Sequence, residues 1–260
     1  MPTIQANGLQ VAYEASGVGP PLILLHGATG SGPSQMAGLA GSLQESVRAL
    51  APDARGHAGT RWDVSLGLRT SDLVDDVLAF ADALGLDTFH LLGYSMGGMT
   101  ALTLAAHHGD RLRSLVVMSI AAEREPRLAV GRALLDPDRI ARDDPGWASS
   151  LASRHDPVQG EGSWRRLLTA VVDDIASQPL LTPAELRGVE RPTLVVAGDR
   201  DPFVPVDRAW QLSRQVREGR LLIVPSAGHD LLDPRHTLVT PAIASFYASI
   251  DLGTAMEESA

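Results

Sequence analysis

A short uninterrupted apolar run, Leu22-Ile23-Leu24-Leu25, leads into the loop His26-Gly27-Ala28-Thr29-Gly30. Similar runs recur at Val47–Ala51, Phe89–Leu92, Leu115–Met118, Thr193–Ala197 and Leu221–Val224. A strand with one solvated face alternates apolar and polar residues, whereas a strand covered on both faces reads as a continuous apolar run. These runs therefore require a sheet buried between two layers, and the chain must supply helices for both. Thr70–Leu84 carries apolar residues at 73, 74, 77, 78, 81 and 84, with four aspartates opposite, the spacing of an amphipathic helix. Met96–His107, Asp207–Val216 and Pro241–Ile250 are read as three more helices. Near the start, Asn7-Gly8 between Thr3–Ala6 and the alternating run Leu9–Ala15 signals a tight hairpin. The expected fold is α/β: an antiparallel opening, then a mostly parallel, doubly wound sheet whose ligands sit at the carboxyl ends of its strands.

The rhythm breaks between Ala121 and Arg191, where about seventy residues separate two buried runs. Pro137, Pro145, Pro157, Pro179 and Pro183 are expected to divide this stretch into short helical pieces, of which Trp164–Ile175 is the best amphipathic candidate. Residues 121–190 are read as a small helical cap inserted after the sixth strand, 1–120 and 191–250 as the core, and 251–260 as a flexible polar tail.

Composition removes whole classes of chemistry. The chain has no cysteine and no lysine, so all 22 of its basic residues are arginine. Thiol nucleophiles, cysteine metal sites, lysine Schiff bases and a P-loop lysine are excluded. No His-Glu-x-x-His or other metal spacing occurs, and His107-His108 sits at a helix end where imidazoles complement the dipole. Neither metal nor cofactor is expected. The net charge, 22 − 31 = −9, argues against a general nucleic-acid or anionic-membrane surface. The opening Met1-Pro2-Thr3-Ile4-Gln5 lacks a basic segment followed by an apolar run, so a cytoplasmic location is expected. No heptad or apolar stripe declares an oligomeric interface.

Gly93-Tyr94-Ser95-Met96-Gly97 joins the run Phe89–Leu92 to the helix Met96–His107. Glycines on either side of a serine at a strand-to-helix turn allow a sharp bend that exposes the hydroxyl at the positive end of a helix. Such a hydroxyl needs a histidine base oriented by a carboxylate. Downstream, Gly198-Asp199-Arg200-Asp201-Pro202-Phe203-Val204-Pro205 follows one apolar run, and Pro225-Ser226-Ala227-Gly228-His229-Asp230 follows the next. In a parallel sheet these strand ends gather at one edge, bringing Ser95, an aspartate and His229 within reach of each other. Asp199 and Asp201 compete for the acid role.

These motifs resemble those of the α/β-hydrolase superfamily, and the likeness runs from Leu9 to Ser249. It implies an eight-stranded sheet, and the acid's usual spacing to a proline four residues on matches Asp201 and Pro205. By the same resemblance, His26-Gly27-Ala28 is similar to the oxyanion loop, which implies that the N–H groups of Ala28 and Met96 bind the oxyanion. Pro52-Asp53-Ala54-Arg55-Gly56-His57-Ala58-Gly59 resembles a stretch whose usual role is structural. His26 is read as a loop-ordering residue and His57 as a partner of its arginine turn. Tyr94 and Met99 flank the nucleophile, and Trp147, His155 and Trp164 are candidate pocket residues from the cap. Arg165-Arg166 and Arg124/Arg127 are weighed as receivers of an anionic substrate. Eight arginines between 121 and 170 are matched there by eight acids, so a solvated face is expected instead.

The expected activity is hydrolysis of a small carboxylic ester or lactone through an acyl-enzyme on Ser95. The same triad also serves carbon–carbon hydrolases, lyases and cofactor-free perhydrolases. The elbow resembles that of the menaquinone-pathway lyase, but the arginine expected next is Met99, and the Gly-Pro-Gly turn usual in carbon–carbon hydrolases is replaced by Ala28-Thr29-Gly30-Ser31-Gly32. Serine at 95 speaks against dehalogenation, which uses an aspartate. A non-catalytic ligand receptor on the same scaffold is the reading from another class.

Overall fold

The structure is a computed structural model and describes residues 1–257. Eight strands, β1 (Thr3–Ala6), β2 (Leu9–Ser16), β3 (Pro21–Leu25), β4 (Arg48–Pro52), β5 (Phe89–Tyr94), β6 (Leu112–Met118), β7 (Thr193–Gly198) and β8 (Gly219–Val224), form one sheet. Their order is β1-β2-β4-β3-β5-β6-β7-β8. The opening hairpin is antiparallel and β2 also runs antiparallel to β4, while every pairing from β4 to β8 is parallel. At the hairpin turn, Asn7 and Gly8 both take positive φ, 48° and 74°, as a tight two-residue turn requires.

The continuous apolar runs are explained by which face each residue meets. Ile23 and Leu25 point to one cluster and Leu22 and Leu24 to the other; Val195 and Ala197 likewise oppose Leu194 and Val196. Successive side chains of a strand face opposite sides, so an apolar residue at every position serves two cores. One face is covered by α2 (Thr70–Ala83), α3 (Met96–His107) and α9 (Val206–Gln215), through residues such as Phe80, Leu102 and Leu212. The other is covered by α1 (Ala37–Leu43) and α10 (Val239–Glu257), through Leu39, Leu43, Ile243 and Phe246. Each such fully buried side chain contributes about 1.5–3 kcal/mol. The last helix is longer than the sequence reading: its backbone continues through 251–257, where a tail was expected, and 258–260 lie outside the described residues.

Between β6 and β7 lie α4 (Arg127–Leu134), α5 (Pro137–Asp143), α6 (Pro145–Gln159), α7 (Ser163–Ser177) and α8 (Pro183–Arg187). Pro137, Pro145 and Pro183 occupy first turns, where proline removes no intrahelical bond. Pro157 does not divide helices as expected but sits in the last turn of α6. So close to the helix end it removes one bond without a second turn to disrupt. Within 121–190 the packing is of two kinds. Ile140, Leu151, Trp164 and Leu168 form a core shared by α5, α6 and α7, whereas Leu186 and Val189 join the main core beneath the sheet.

Candidate active site

The parallel strands end level: Leu25 pairs with Gly93, Tyr94 with Met118, Met118 with Val196, and Gly198 with Val224. The loops that follow β3, β5, β6, β7 and β8 therefore leave from one edge, where ligand sites of such sheets lie. Ser95 holds φ 52° and ψ −114° between β5 and α3. A side chain in this region costs on the order of 1–3 kcal/mol and persists only where its surroundings over-determine it. They do so here by close approach: a Cβ at Gly93 would collide with the Gly97 carbonyl, and one at Gly97 with the Leu25 carbonyl. Glycine at both positions lets α3 press against the sheet while the serine hydroxyl stays clear.

Ser95 Oγ lies 2.9 Å from His229 Nε2, and His229 Nδ1 lies 2.9 and 3.0 Å from the two carboxylate oxygens of Asp201. A carboxylate only accepts, so Nδ1 carries the proton and Nε2 is left as the acceptor for the serine hydroxyl. The Asp201 side chain is fully buried, and its Oδ1 also accepts from the N–H groups of Phe203 and Val204. Those bonds meet the requirement that a buried charge be satisfied. Asp199 is excluded from this network and lies 3.9 Å from Arg200 instead. The His229 ring is flanked by Phe203 at 4.3 Å and Tyr94 at 5.5 Å between centroids. Ser119, at φ 53° after β6, donates its hydroxyl to the His229 carbonyl at 2.8 Å. Sequence reasoning missed Ser119, because no motif surrounds it.

The loop after β3 is held from three sides. Gln35 Oε1 accepts from Gly27 N at 2.7 Å; His26 Nε2 accepts from Ala54 N at 2.9 Å, so its Nδ1–H donates to the Gly27 carbonyl. His57 reaches beyond its own turn: one ring nitrogen faces the Arg55 carbonyl and the other the Ala28 carbonyl, 3.0 and 3.1 Å away. Asp53 ties the same region by accepting from Gly32 N and Gly59 N; burial raises its pKa and these two bonds oppose the rise. The backbone N–H groups of Ala28 and Met96 engage no acceptor among the described residues, and both residues line the cavity beside Ser95.

That cavity has a volume of about 180 Å³. Of the candidate pocket residues, Tyr94, Met99 and Trp147 line it. His155 and Trp164 do not. His155 is fully buried and its Nδ1 accepts from Ala58 N at 3.1 Å, while Trp164 packs in the core of α5–α7 with the Arg165 guanidinium 4.7 Å over its ring. Trp164 faces inward because an amphipathic helix must first bury its own apolar stripe, whereas His155 turns toward the loop after β4, where its ring lies 5.5 Å from that of His57. The cavity is also lined by Phe203, Leu135 and Val171, which sequence reasoning left out, and by a polar group of Thr70, Arg127, Asp174 and Gln178, of which it had weighed only Arg127. Arg127 corrects the reading of its region as a solvated face, since it is 6% exposed. Charge counting along a sequence cannot tell which arginine of a mixed cluster turns inward. Among the described residues no group of three or more histidine or acidic side chains is arranged to hold a metal ion, and no helix is long and apolar enough to cross a membrane.

A model of the alpha/beta hydrolase family matches residues 22–240. The chain is 29% identical to 2-hydroxymuconate semialdehyde hydrolase of Pseudomonas putida, over 87% of this chain and 86% of that protein. It is 25% identical to pyrrolizixenacetamide deacetylase of Xenorhabdus hominickii, over 84% of this chain and 87% of that one. The crystal structure of the enol-lactonase from Burkholderia xenovorans LB400 shares the fold with a TM-score of 0.76 at 22% identity, covering 95% of this chain and all of that one. With the family match extending from β3 into α10, across the sheet and the strand-end loops described above, the chain belongs to the alpha/beta hydrolase family.

Proposed function

We propose that the protein is a serine hydrolase of small carboxylic esters or lactones that works through an acyl-enzyme on Ser95. The observation that carries this reading is the unbroken hydrogen-bonded series Asp201, His229, Ser95 beside two unengaged backbone N–H groups. Ser95 Oγ attacks the substrate carbonyl as His229 Nε2 takes its proton, and Asp201 stabilises the imidazolium that forms. The N–H groups of Ala28 and Met96 receive the oxyanion, each donor being worth about 3 kcal/mol in the transition state. The carbon–oxygen bond then breaks and His229 returns the proton to the leaving alcohol, which in a lactone stays tethered to the acyl group. Water, deprotonated by His229, attacks the acyl-enzyme and releases the acid. Tyr94, Met99 and Trp147 are assigned to the wall that holds the acyl group. A cavity near 180 Å³ suits a short chain or a single ring, since one of about 150 Å³ holds benzene.

The test is release of p-nitrophenol from C2, C4, C8 and C12 esters by the native chain and by Ser95→Ala. Turnover of the shorter esters that disappears with the substitution supports the assignment; turnover indifferent to Ser95 defeats it. A second reading, carbon–carbon bond hydrolysis, draws on the likeness to 2-hydroxymuconate semialdehyde hydrolase. Turnover of 2-hydroxymuconate semialdehyde far exceeding that of any ester would favour it.

A further inference from the structure

Two arginines near the start of α4 face the end of α7, and they are satisfied differently. Arg124 is a finished structural tie: its Nε donates to the Ile175 carbonyl and its Nη2 to the Gln178 carbonyl, at 3.2 and 2.7 Å. Arg127 is not finished. With the Gln178 amide turned as its neighbours require, the amide oxygen accepts from Arg127 Nη2 and Nη1 at 2.7 and 3.2 Å, and the amide nitrogen donates to Thr70 Oγ1. Those contacts occupy one edge of the guanidinium. Along the other edge, the buried Nε has no hydrogen-bond partner among the described residues.

Nor is the charge paired. Among the described residues no carboxylate oxygen lies within 4.0 Å of the Arg127 guanidinium. Asp174, whose field favours the cation, has its two oxygens engaged by the Thr70 N–H and hydroxyl at 2.9 and 2.7 Å. Burial brings the Arg127 pKa down to about 10, which leaves the side chain charged at neutral pH. A buried, unpaired cation with an idle N–H edge is costly unless something supplies its acceptor. Arg127 lines the same cavity as Ser95 and His229 while its Nε itself is covered, so a substrate group reaches that edge with a small shift of the side chains around it.

We propose that Arg127 forms an anion-binding subsite in the Ser95 cavity, receiving a carboxylate carried on the acyl portion of the substrate. The free guanidinium edge offers two parallel N–H groups, the arrangement that matches a carboxylate bidentately. The substrate class is then an ester or lactone of a dicarboxylic acid, with its reacting carbonyl at Ser95 and its free carboxylate against Arg127. The proposal rests on the hydrolase reading above and narrows it.

The experiment compares p-nitrophenyl monoesters of succinic, glutaric and adipic acids with the same compounds methylated on the free carboxylate, after subtraction of the uncatalysed rate. For at least one chain length the native enzyme should prefer the acid by tenfold or more in kcat/KM. Arg127→Gln should lower kcat/KM for that acid by about a hundredfold, mainly through KM, and leave the methyl ester within threefold. A native enzyme that does not prefer any of the acids overturns the proposal without any variant. A fall of equal size on acid and methyl ester in Arg127→Gln also overturns it, because a structural tie predicts that outcome. Should Arg127→Gln not fold, Arg127→Lys keeps the charge without the fork and should fall selectively on the acid. If the native chain turns over no ester, the hydrolase reading fails, and calorimetry with glutarate, succinate and adipate then decides the subsite. Binding of one of them to the native chain that weakens at least tenfold in Arg127→Gln supports it, and no binding, or equal binding, overturns it.

Discussion

Asp199 and Asp201 stand two positions apart on one loop, and their surroundings divide the work. Asp201 is buried against two backbone N–H groups and His229, while Asp199 pairs with Arg200 at 3.9 Å. Asp201→Asn should therefore lower kcat by about 10⁴, through loss of the required imidazole tautomer. Asp199→Asn should stay within about twofold under the same steady-state assay. Ser119 makes a finer case, since its hydroxyl holds the backbone of the histidine and not its ring. Ser119→Ala should reduce kcat roughly three- to tenfold with KM unchanged, because a small misplacement of the base affects the transition state more than binding. The serine elbow was legible in sequence because its geometry is local, whereas Asp201 was preferred to Asp199 only through the family resemblance of its spacing to Pro205. Arg127 was not, because its burial depends on α7 folding back over it from about fifty residues away.

At the scale of elements, the helices between β6 and β7 separate residues that pack from residues that face the cavity. Trp164 lies in the shared core of α5, α6 and α7, so Trp164→Ala should cost on the order of 3–5 kcal/mol in urea unfolding. The chain-length preference of the surviving enzyme should stay the same. Trp147 lines the Ser95 cavity, so Trp147→Ala should move that preference toward longer or bulkier acyl groups with a smaller loss of stability. The periodicity of Trp164–Ile175 was readable as an amphipathic helix, but period alone does not say which neighbour covers the stripe. For that reason Trp147 and Trp164 carried equal weight in sequence and separate roles in the structure.

At the scale of the molecule, three histidines from distant segments stack edge to face: His26 against His57 at 4.9 Å, and His57 against His155 at 5.5 Å. Burial is the largest cause that depresses their pKa values, to about 4, 3 and 3 respectively, with the neighbouring imidazoles and Arg154 adding to it. An unfolded chain takes up these protons near pH 6.5, whereas the folded chain refuses them until pH falls to about 4 or below. Their contribution to stability is therefore present above pH 6.5 and lost as pH falls toward 4. With three protons involved, the loss reaches as much as ~4 kcal/mol per pH unit. Asp53 and Asp174, whose pKa values burial raises, oppose this in part by taking protons first in the folded state. Urea midpoints measured from pH 7.5 to 4.5 should fall steeply below pH 6.5, and His155→Gln should flatten that fall by about one proton.

Amino-acid order by itself determined the two-sided sheet, the helices that cover it and the position of the serine elbow. Those follow from local periodicity, glycine at tight contacts and the alternation of strand faces, and each is written within a few neighbouring residues. Only the tertiary structure decided that Asp201 faces His229, that His155 closes a histidine stack instead of lining the cavity, and that Arg127 turns inward to line the Ser95 cavity with its Nε unpartnered among the described residues. Burial and pairing of a charged or titratable side chain depend on segments far away in sequence, and no local pattern records which of them will arrive.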